Sequence, residues 1–221
     1  MGNQRRSALI SFEGIEKVGK TTQIGRLSSW LRGLGHKVTV LREPGGTMLG
    51  ESLRNLLLHT LEIHSAEAEL LLFAAARAEL VEHVIRPLLA EDHIVIVDRF
   101  SDSSVAYQGF GRGIDIEWVE TLNRRVVQGL TPDITFWLKG PSFYEGEDNI
   151  ERKGRKFFHR VECGYNRLVE QDPSRWHVVA SSRPVDVIAK EIQTIVEAYL
   201  KMSPGPSSIS NKEANEEFPV S

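Results

Sequence analysis

An apolar run that leads directly into a glycine-rich turn and then into a helical pattern constrains the fold of this chain more than any other feature. The stretch "ALISFEGIEKVGKTTQ" (8–23) contains Gly14-x-x-x-x-Gly19-Lys20-Thr21. Backbone N–H groups of such a turn, together with the positive end of the following helix, hold polyphosphate, and glycines give the backbone its freedom. The pattern predicts a strand, a nucleotide-binding loop and a helix. The alternative is a chance match that binds no nucleotide.

Two oxygen-bearing side chains near this loop are candidate metal ligands. Lys20 is expected to bridge the terminal phosphates, and the Thr21 hydroxyl to bind Mg²⁺. Asp98 ends the apolar run "IVIVD", and strand ends in such sheets converge on the ligand, so Asp98 is the second candidate. The alternative for Asp98 is a strand-terminal residue that caps a turn. The residues expected to surround the phosphates are Gly14, Ile15, Glu16, Lys17, Val18, Gly19, Lys20 and Thr21.

Short apolar runs alternate with longer amphipathic ones along the chain, which indicates an α/β fold with a parallel sheet. Helical patterns separate the runs, and Pro87 is expected to end the long one that begins near residue 66. Further helices are expected near 116–130, 155–171 and 184–201. The five predicted strands are 8–12, 38–41, 94–98, 134–138 and 176–180.

Composition excludes several kinds of protein. The 30 acidic residues outnumber the 27 Lys and Arg residues, so no global basic field attracts nucleic acid or anionic lipid. Cys163 is the only cysteine, which rules out an intramolecular disulfide and fits a reducing cytoplasm. No apolar run reaches the roughly 18 residues of a membrane span. The chain is therefore expected to bind a small molecule, with neither nucleic acid nor a membrane as partner.

The composition changes near the C-terminus. After Lys201 the sequence "MSPGPSSISNKEANEEFPVS" is rich in Pro, Ser, Asn and Glu, and it cannot bury enough apolar surface to offset its ordering entropy. We expect one domain over residues 1–201 and a disordered tail over 202–221.

Three further blocks follow predicted strands or lie on a predicted helix. "LREPGGTMLGESLRNLLL" (41–58) carries Arg42, Glu43 and Arg54, and "FAAAR" (73–77) sets an aromatic residue and an arginine on one helical face. "DRFSDSSVAYQGFGRG" (98–113) concentrates an arginine, hydroxyl groups and glycines. Each block alone has an ordinary structural explanation, such as a solvated turn or a snorkelling arginine. Their shared position beside the loop favours a site for a second substrate.

The blocks "FEGIEKVGKTTQ", "REPGGT", "LLLFAAARAELVEHVIRPLL", "DRFSDSSVAYQGFGRGID" and "TPDITFWL" resemble those of the thymidylate kinase family in order and spacing. The resemblance covers nearly the whole chain to about residue 200. It implies a P-loop NTPase fold with a five-stranded parallel sheet flanked by helices, and a homodimer. It also implies phosphorylation of thymidine monophosphate (dTMP) by Mg-ATP, a step in dTTP biosynthesis.

The resemblance also implies a role for individual residues of the acceptor site. Phe73 matches the aromatic residue that stacks on thymine and Arg77 the arginine that hydrogen-bonds the base, with Gln108 and Ser104 near the base edge. Tyr107 matches the ring packed against deoxyribose. The remaining matches lie near the phosphates: Arg99 on the acceptor phosphate, Arg42 and Arg54 in blocks that border it, and Glu16 near the metal.

The lid, expected near residues 139–156, departs from the family pattern. It is several residues short, and the D-R-I/F-E motif reads Asp148-Asn149-Ile150-Glu151, without its arginine. Lys17 supplies a positive charge from the loop. Its compact ammonium group is not equivalent to the planar, forked guanidinium of an arginine. The basic residues that follow either replace the lost charge or form a solvated helix face. They are Arg152, Lys153, Arg155, Lys156 and Arg160, of which Arg160 matches a family arginine.

Two hypotheses of different classes follow. The first is an active dTMP kinase whose catalytic residues are Lys20, Lys17, Arg99 and Glu16. The second is a nucleotide-binding relative that has lost or weakened catalysis, since a fold does not carry activity with it. A kinase for another nucleoside monophosphate or for a deoxynucleoside is the alternative within the enzyme class. A GTPase is disfavoured because the N-K-x-D motif that reads guanine is absent.

Overall fold

The computed structural model of the chain describes residues 7–60, 63–140, 149–150 and 153–202. Five parallel strands form one sheet in the order β2-β3-β1-β4-β5. The predicted α/β fold with a five-stranded parallel sheet is therefore confirmed. The strands are β1 Ala8–Glu13, β2 Val38–Arg42, β3 Ile94–Asp98, β4 Ile134–Lys139 and β5 Trp176–Ala180.

Helices connect consecutive strands and cover the sheet, and three of them continue into π-helical segments. The α-helices are α1 Lys20–Gly33, α2 Met48–Asn55, α3 Ala66–Leu80, α4 Arg86–Ala90, α5 Ser101–Ser104, α6 Ile116–Val126, α7 Arg155–Gln171 and α8 Val185–Lys201. The π-helical segments are Leu56–Thr60 after α2, Val81–Ile85 after α3 and Val105–Gly111 after α5.

The expectation that Pro87 ends the long helix was wrong. The helix continues through the π-helical segment Val81–Ile85 into α4, where Pro87 lies in the first turn. Inside a regular α-helix, proline lacks the N–H group that donates to the preceding turn, and its ring crowds the carbonyl four residues earlier. The wider turn before α4 lets the chain continue in a helical path until Ala90.

The core lies on both faces of the sheet. Alternate residues of the central strand β1 contribute to each side: Ile10 and Phe12 pack towards α1 and α8, whereas Leu9 packs towards the end of α3, the π-helical segment Val81–Ile85 and Val127. All three side chains are at most 1% exposed. A strand buried on both faces reads as a continuous apolar run, which explains why the sequence predicted it. Among the described helices, none combines the length and apolar character that spanning a bilayer requires.

Candidate active site

The carboxyl ends of β1, β2 and β3 lie side by side at one edge of the sheet. Phe12 and Arg42 both pair in register with Asp98, and the backbone N–H of Glu43 donates to the carbonyl of Asp98 at 3.0 Å. Ligands of parallel α/β sheets bind beyond the carboxyl ends of the strands. The segments that follow these three strands therefore share one crevice.

The turn between β1 and α1 has a backbone geometry that favours glycine. Gly14 has a φ of 130°, and a Cβ atom there would lie 2.6 Å from the carbonyl oxygen of Leu138. Gly19, directly before α1, has a φ of 93°. The first N–H groups of α1 open onto this turn, which makes it suited to bind an anion such as phosphate.

Lys20 is held inside the turn. Its side chain is 4% exposed, and Nζ donates to the carbonyls of Gly14 at 3.1 Å and Ile15 at 2.8 Å. Nζ also lies 4.0 Å from Glu16 Oε2. Burial, followed by the charge of Arg99, lowers the pKa of Lys20 to about 8. An anionic ligand beside this poorly solvated ammonium would stabilise its charge.

The remaining residues of the loop differ in exposure. Val18 is buried in the core and Ile15 packs against it, whereas Glu16 is half-buried. Lys17 is exposed and has a φ of 62°. Thr21 is exposed at the start of α1. The structure thus places the basic side chain of Lys17 on the outer surface of the loop.

A cavity of about 170 Å³ lies beside the loop. All eight residues predicted to contact the second substrate line it, as do Glu16 and Asp98. The sequence reasoning did not single out other lining residues, among them the apolar Leu58, Ile150 and Phe158. The eight predicted residues that the cavity brings together are Arg42, Arg54, Phe73, Arg77, Arg99, Ser104, Tyr107 and Gln108.

Arg99 joins the loop to the cavity. Its Nη2 donates to Glu16 Oε1 at 2.5 Å, and its guanidinium carbon lies 4.9 Å from the centre of the Tyr107 ring. Arg99 itself has a φ of 70°, an unusual backbone conformation for a residue other than glycine. The charge of Arg99 lowers the pKa of Glu16 to about 2. Glu16 is consequently an anion at neutral pH, and Arg99 is fixed at the loop end of the cavity.

Glu13 is linked to Arg99 through the hydroxyl groups of Ser103 and Tyr165, which lie 3.4 and 3.5 Å from Arg99 Nη1, and it was missed by the sequence reasoning. Its buried carboxylate accepts hydrogen bonds from the Phe100 N–H at 2.8 Å, the Ser103 hydroxyl at 2.5 Å and the Tyr165 hydroxyl at 2.9 Å. Burial, the largest influence, raises the pKa of Glu13 to about 7. The signal available in the sequence was an acidic residue at the end of an apolar strand.

Arg77 is 1% exposed, and protein groups hold most of its guanidinium. Nε donates to Glu43 Oε2 at 2.6 Å, and Nη1 donates to the Ser104 hydroxyl and to Asn123 Oδ1, both at 3.0 Å. Nη2 donates to the Phe100 carbonyl at 3.3 Å. A guanidinium has five N–H donors, so within the described residues these contacts leave one for a ligand in the cavity.

The lining of the cavity also combines an aromatic face with polar groups. Phe73 is half-buried, and Gln108 is 2% exposed. The Tyr107 ring is fixed by edge contacts with Phe157 and Phe158, at centroid distances of 6.0 and 6.4 Å. Burial raises the pKa of the Tyr107 hydroxyl to about 12, so this group is neutral at physiological pH. An apolar body with a few fixed polar groups suits a planar organic ligand.

Two further arginines line the side of the cavity formed by the segment after β2. Arg42 is exposed and donates to Glu51 Oε2 at 2.9 Å. Arg54 on α2 is half-buried and donates to the Pro44 carbonyl at 3.1 Å. Both are cationic neighbours for an anion at the loop end of the cavity.

The basic residues of the lid region have different surroundings. Lys153 Nζ donates to Glu69 Oε2 at 2.5 Å, and Arg160 Nη2 donates to the Gly111 carbonyl at 2.6 Å. Arg155 and Lys156 are exposed at the start of α7. Arg152 lies outside the described residues, as do residues 141–148 and 151. Two of the candidate replacements for the missing lid arginine, Lys153 and Arg160, are thus engaged elsewhere in the protein.

The surroundings of Asp98 fit a hard cation. Its Oδ1 atom is buried without a hydrogen-bond partner among the described residues, so it is an available acceptor. Nowhere in those ranges do three His, Cys, Asp or Glu side chains gather into a complete ligand set. Mg²⁺ is commonly bound by one or two carboxylates, with substrate phosphates and water completing the coordination. The residues present therefore suit Mg²⁺ that arrives with a nucleotide.

Comparison with known proteins agrees with this geometry. The family model described as thymidylate kinase matches residues 12–192. The thymidylate kinase of Chlorobium luteolum is 41% identical over 213 residues, covering 88% of this chain and 100% of the relative. That of Gloeobacter violaceus is 44% identical over 201 residues, covering 86% and 95%. The crystal structure of the Ehrlichia chaffeensis thymidylate kinase matches with a TM-score of 0.76 and 35% identity, covering 86% of this chain and 99% of that one.

Proposed function

The chain belongs to the thymidylate kinase family and phosphorylates dTMP to thymidine diphosphate (dTDP), and we propose that Mg-ATP is the donor. The cavity of about 170 Å³ beside the phosphate-binding loop is the observation that supports placing the acceptor nucleotide there. One end of the cavity carries an aromatic face and an amide, and the other carries arginines and Lys20 nearby. This polarity matches a nucleoside monophosphate whose phosphate points towards the loop.

At the base end, Phe73 stacks on the thymine ring and Arg77 donates to a base carbonyl. Base stacking on an aromatic side chain contributes about 1–3 kcal/mol. The contacts of Arg77 with Glu43, Ser104 and Asn123 fix its guanidinium before the ligand arrives, which lowers the entropic cost of binding. Gln108 meets the edge of the base.

The Tyr107 ring packs against the deoxyribose. Edge contacts with Phe157 and Phe158, together with the Arg99 guanidinium over the ring, hold the ring in place. A ring fixed in this way leaves little room for a 2′-hydroxyl, so the proposal includes a preference for the deoxy form of the acceptor.

At the loop end, Arg99 binds the acceptor phosphate, and Arg42 and Arg54 add positive charge at its border. Phosphoryl transfer requires two anions to be aligned and the charge between them to be neutralised. Glu16, an anion held by Arg99, orients this arginine beside the loop. The short contact therefore sets the position of the acceptor phosphate relative to the loop.

On the donor side, the loop N–H groups and Lys20 bind the ATP phosphates. Asp98 and Thr21 would hold Mg²⁺, which would neutralise charge on the donor phosphates. The Lys20 ammonium exchanges its carbonyl partners, Gly14 and Ile15, for phosphate oxygens. Charge-assisted contacts of this kind are stronger than those to neutral carbonyls.

Lys17 supplies the additional charge during transfer. It is exposed on the loop that surrounds the donor phosphates. From this loop position the four-carbon side chain of a lysine reaches the transferred phosphate without a long lid. In this role the positive charge of Lys17 replaces that of the arginine missing from the lid motif.

Partners and location follow from family membership and from the single cysteine. We infer a homodimer and a cytoplasmic location, with dTMP and ATP as small-molecule partners. Cys163 is exposed, and a lone thiol suits a reducing compartment.

Product analysis tests the function. The purified chain with Mg-ATP and dTMP is expected to form ADP and dTDP in equal amounts, measured by anion-exchange chromatography. Lys20→Ala is the control, because it removes phosphate neutralisation while leaving the acceptor cavity intact. Binding of dTMP without formation of dTDP would support instead the weakened relative.

A further inference from the structure

Glu69 is a buried acid on the helix that carries the base-binding residues. It precedes Phe73 by four residues and Arg77 by eight, so the three side chains share one face of α3. The residue is 2% exposed. An ionised side chain is rarely buried to this extent without partners, and neither the family motif nor the proposed mechanism gives it a role.

The two carboxylate oxygens of Glu69 have partners on different parts of the chain. Oε1 accepts from Gln108 Nε2 at 2.9 Å, on the segment after β3. Oε2 accepts from Lys153 Nζ at 2.5 Å, and Arg112 Nε lies 3.7 Å from the same atom. The carboxylate therefore links the amide at the cavity to the segment that precedes α7.

The contact with Gln108 determines which group of the amide meets a ligand. A carboxylate flanked by two cations only accepts hydrogen bonds, so the NH₂ group of Gln108 must face Glu69. The carbonyl oxygen of the amide is then the group left for the base. Thymine carries an N3–H donor on its pairing edge, whereas cytosine carries an unprotonated N3 acceptor there. A fixed acceptor accordingly favours thymine and repels cytosine.

We propose that Glu69 is a positioning residue that determines base specificity, by holding the Gln108 amide with its oxygen towards the base. Lys153 and Arg112 in turn hold the carboxylate in place. This inference rests on the proposed role of Gln108 at the base edge. It assigns Lys153 a part in reading the acceptor base, away from the transferred phosphate.

The test compares kcat/KM for dTMP and for deoxycytidine monophosphate (dCMP) in the wild type and in Glu69→Gln. The introduced amide donates as well as accepts hydrogen bonds. The Gln108 amide can therefore flip and present its NH₂ group to the base. We expect the preference for dTMP over dCMP to fall about tenfold, the equivalent of one lost hydrogen bond. The fall is expected in the ratio of KM values, with kcat for dTMP changed less. Glu67→Gln, an exposed position on the same helix, is the control and keeps the wild-type preference.

Two further variants keep the test decisive. Glu69→Asp retains the charge beside Lys153 and Arg112, but its shorter side chain withdraws the carboxylate from Gln108. We expect this variant to lose the preference for dTMP over dCMP as well. It serves as the test if Glu69→Gln folds poorly. Gln108→Leu tests the premise: it must lose the preference too, and Glu69→Gln added to it must cause no further loss. If Gln108→Leu keeps the preference, the role of Gln108 is wrong and the proposal falls with it. If Gln108→Leu loses the preference while folded Glu69→Gln and Glu69→Asp keep it, the role of Glu69 alone is wrong.

Discussion

The ammonium of Lys20 lies 2.8 Å from the carbonyl oxygen of Ile15, so the phosphate-binding loop holds its own lysine. The pKa of this buried group is lowered to about 8, mainly by desolvation. Phosphate oxygens raise the pKa of a neighbouring ammonium because they favour its charged form. Nucleotide binding at a pH above 8 is therefore coupled to protonation of Lys20.

We predict that ADP binding at pH 8.5 takes up a fraction of a proton, because Lys20 is mostly neutral before binding and charged afterwards. Calorimetric titrations in two buffers of different ionisation enthalpy measure this uptake. Lys17→Ala is the matched control and retains it. An equal uptake in Lys20→Met would assign the proton to another group.

Lys17→Ala is predicted to lower kcat about 100-fold while KM for ATP and dTMP changes little. The expected size is that of removing one preorganised donor from a charged transition state. Steady-state kinetics with both substrates varied measure it, and Lys17→Arg is expected to recover part of the activity. If kcat stays at the wild-type value, the basic residues at the start of α7 become the candidates.

Phe73→Ala is predicted to raise KM for dTMP about 10- to 100-fold, the loss of one base-stacking contact. KM for ATP is expected to stay near the wild-type value, because Phe73 lines the acceptor cavity. The two constants are measured in the same preparation. An equal rise in both would contradict the assignment of this end of the cavity to the base.

Glu13 is predicted to make stability fall as pH rises from about 4.5 to 7. Its pKa is raised to about 7 in the folded protein, so the folded state retains a proton that the unfolded chain releases in this range. The contribution of Glu13 to the free energy of unfolding is at most about 3 kcal/mol. Urea unfolding of the wild type and of Glu13→Gln across this range measures the difference, and the gap between the two curves is expected to change with pH. Parallel curves would show that Glu13 does not titrate there.

Local sequence patterns predicted most of the fold. The five strands are short apolar runs, of which β1, β3 and β4 are almost entirely buried, and the loop motif has a fixed backbone geometry, so both are visible in short stretches of sequence. Pro87 was misread because its effect depends on the π-helical segment Val81–Ile85 before it. Hydrogen bonding in that segment follows from tertiary packing, and no local propensity indicates it.

The candidate site was predicted less completely. The eight cavity residues were found through family blocks, whereas two buried acids beside the cavity, Glu13 and Glu69, were missed. Glu13 contacts Tyr165 across 152 residues of sequence, and Glu69 contacts Lys153 across 84. Partners at such separations come together only through the fold. In the sequence, both acids look like isolated charges next to apolar residues.

The most direct test of the account is the acceptor specificity of the purified protein. Steady-state phosphorylation with Mg-ATP is measured for thymidine, uridine, cytidine, adenosine and guanosine monophosphates at matched concentrations. We predict that kcat/KM is highest for the thymidine acceptor, with the four others far below it. A higher kcat/KM for any other acceptor, or tight binding of dTMP without turnover, would contradict it.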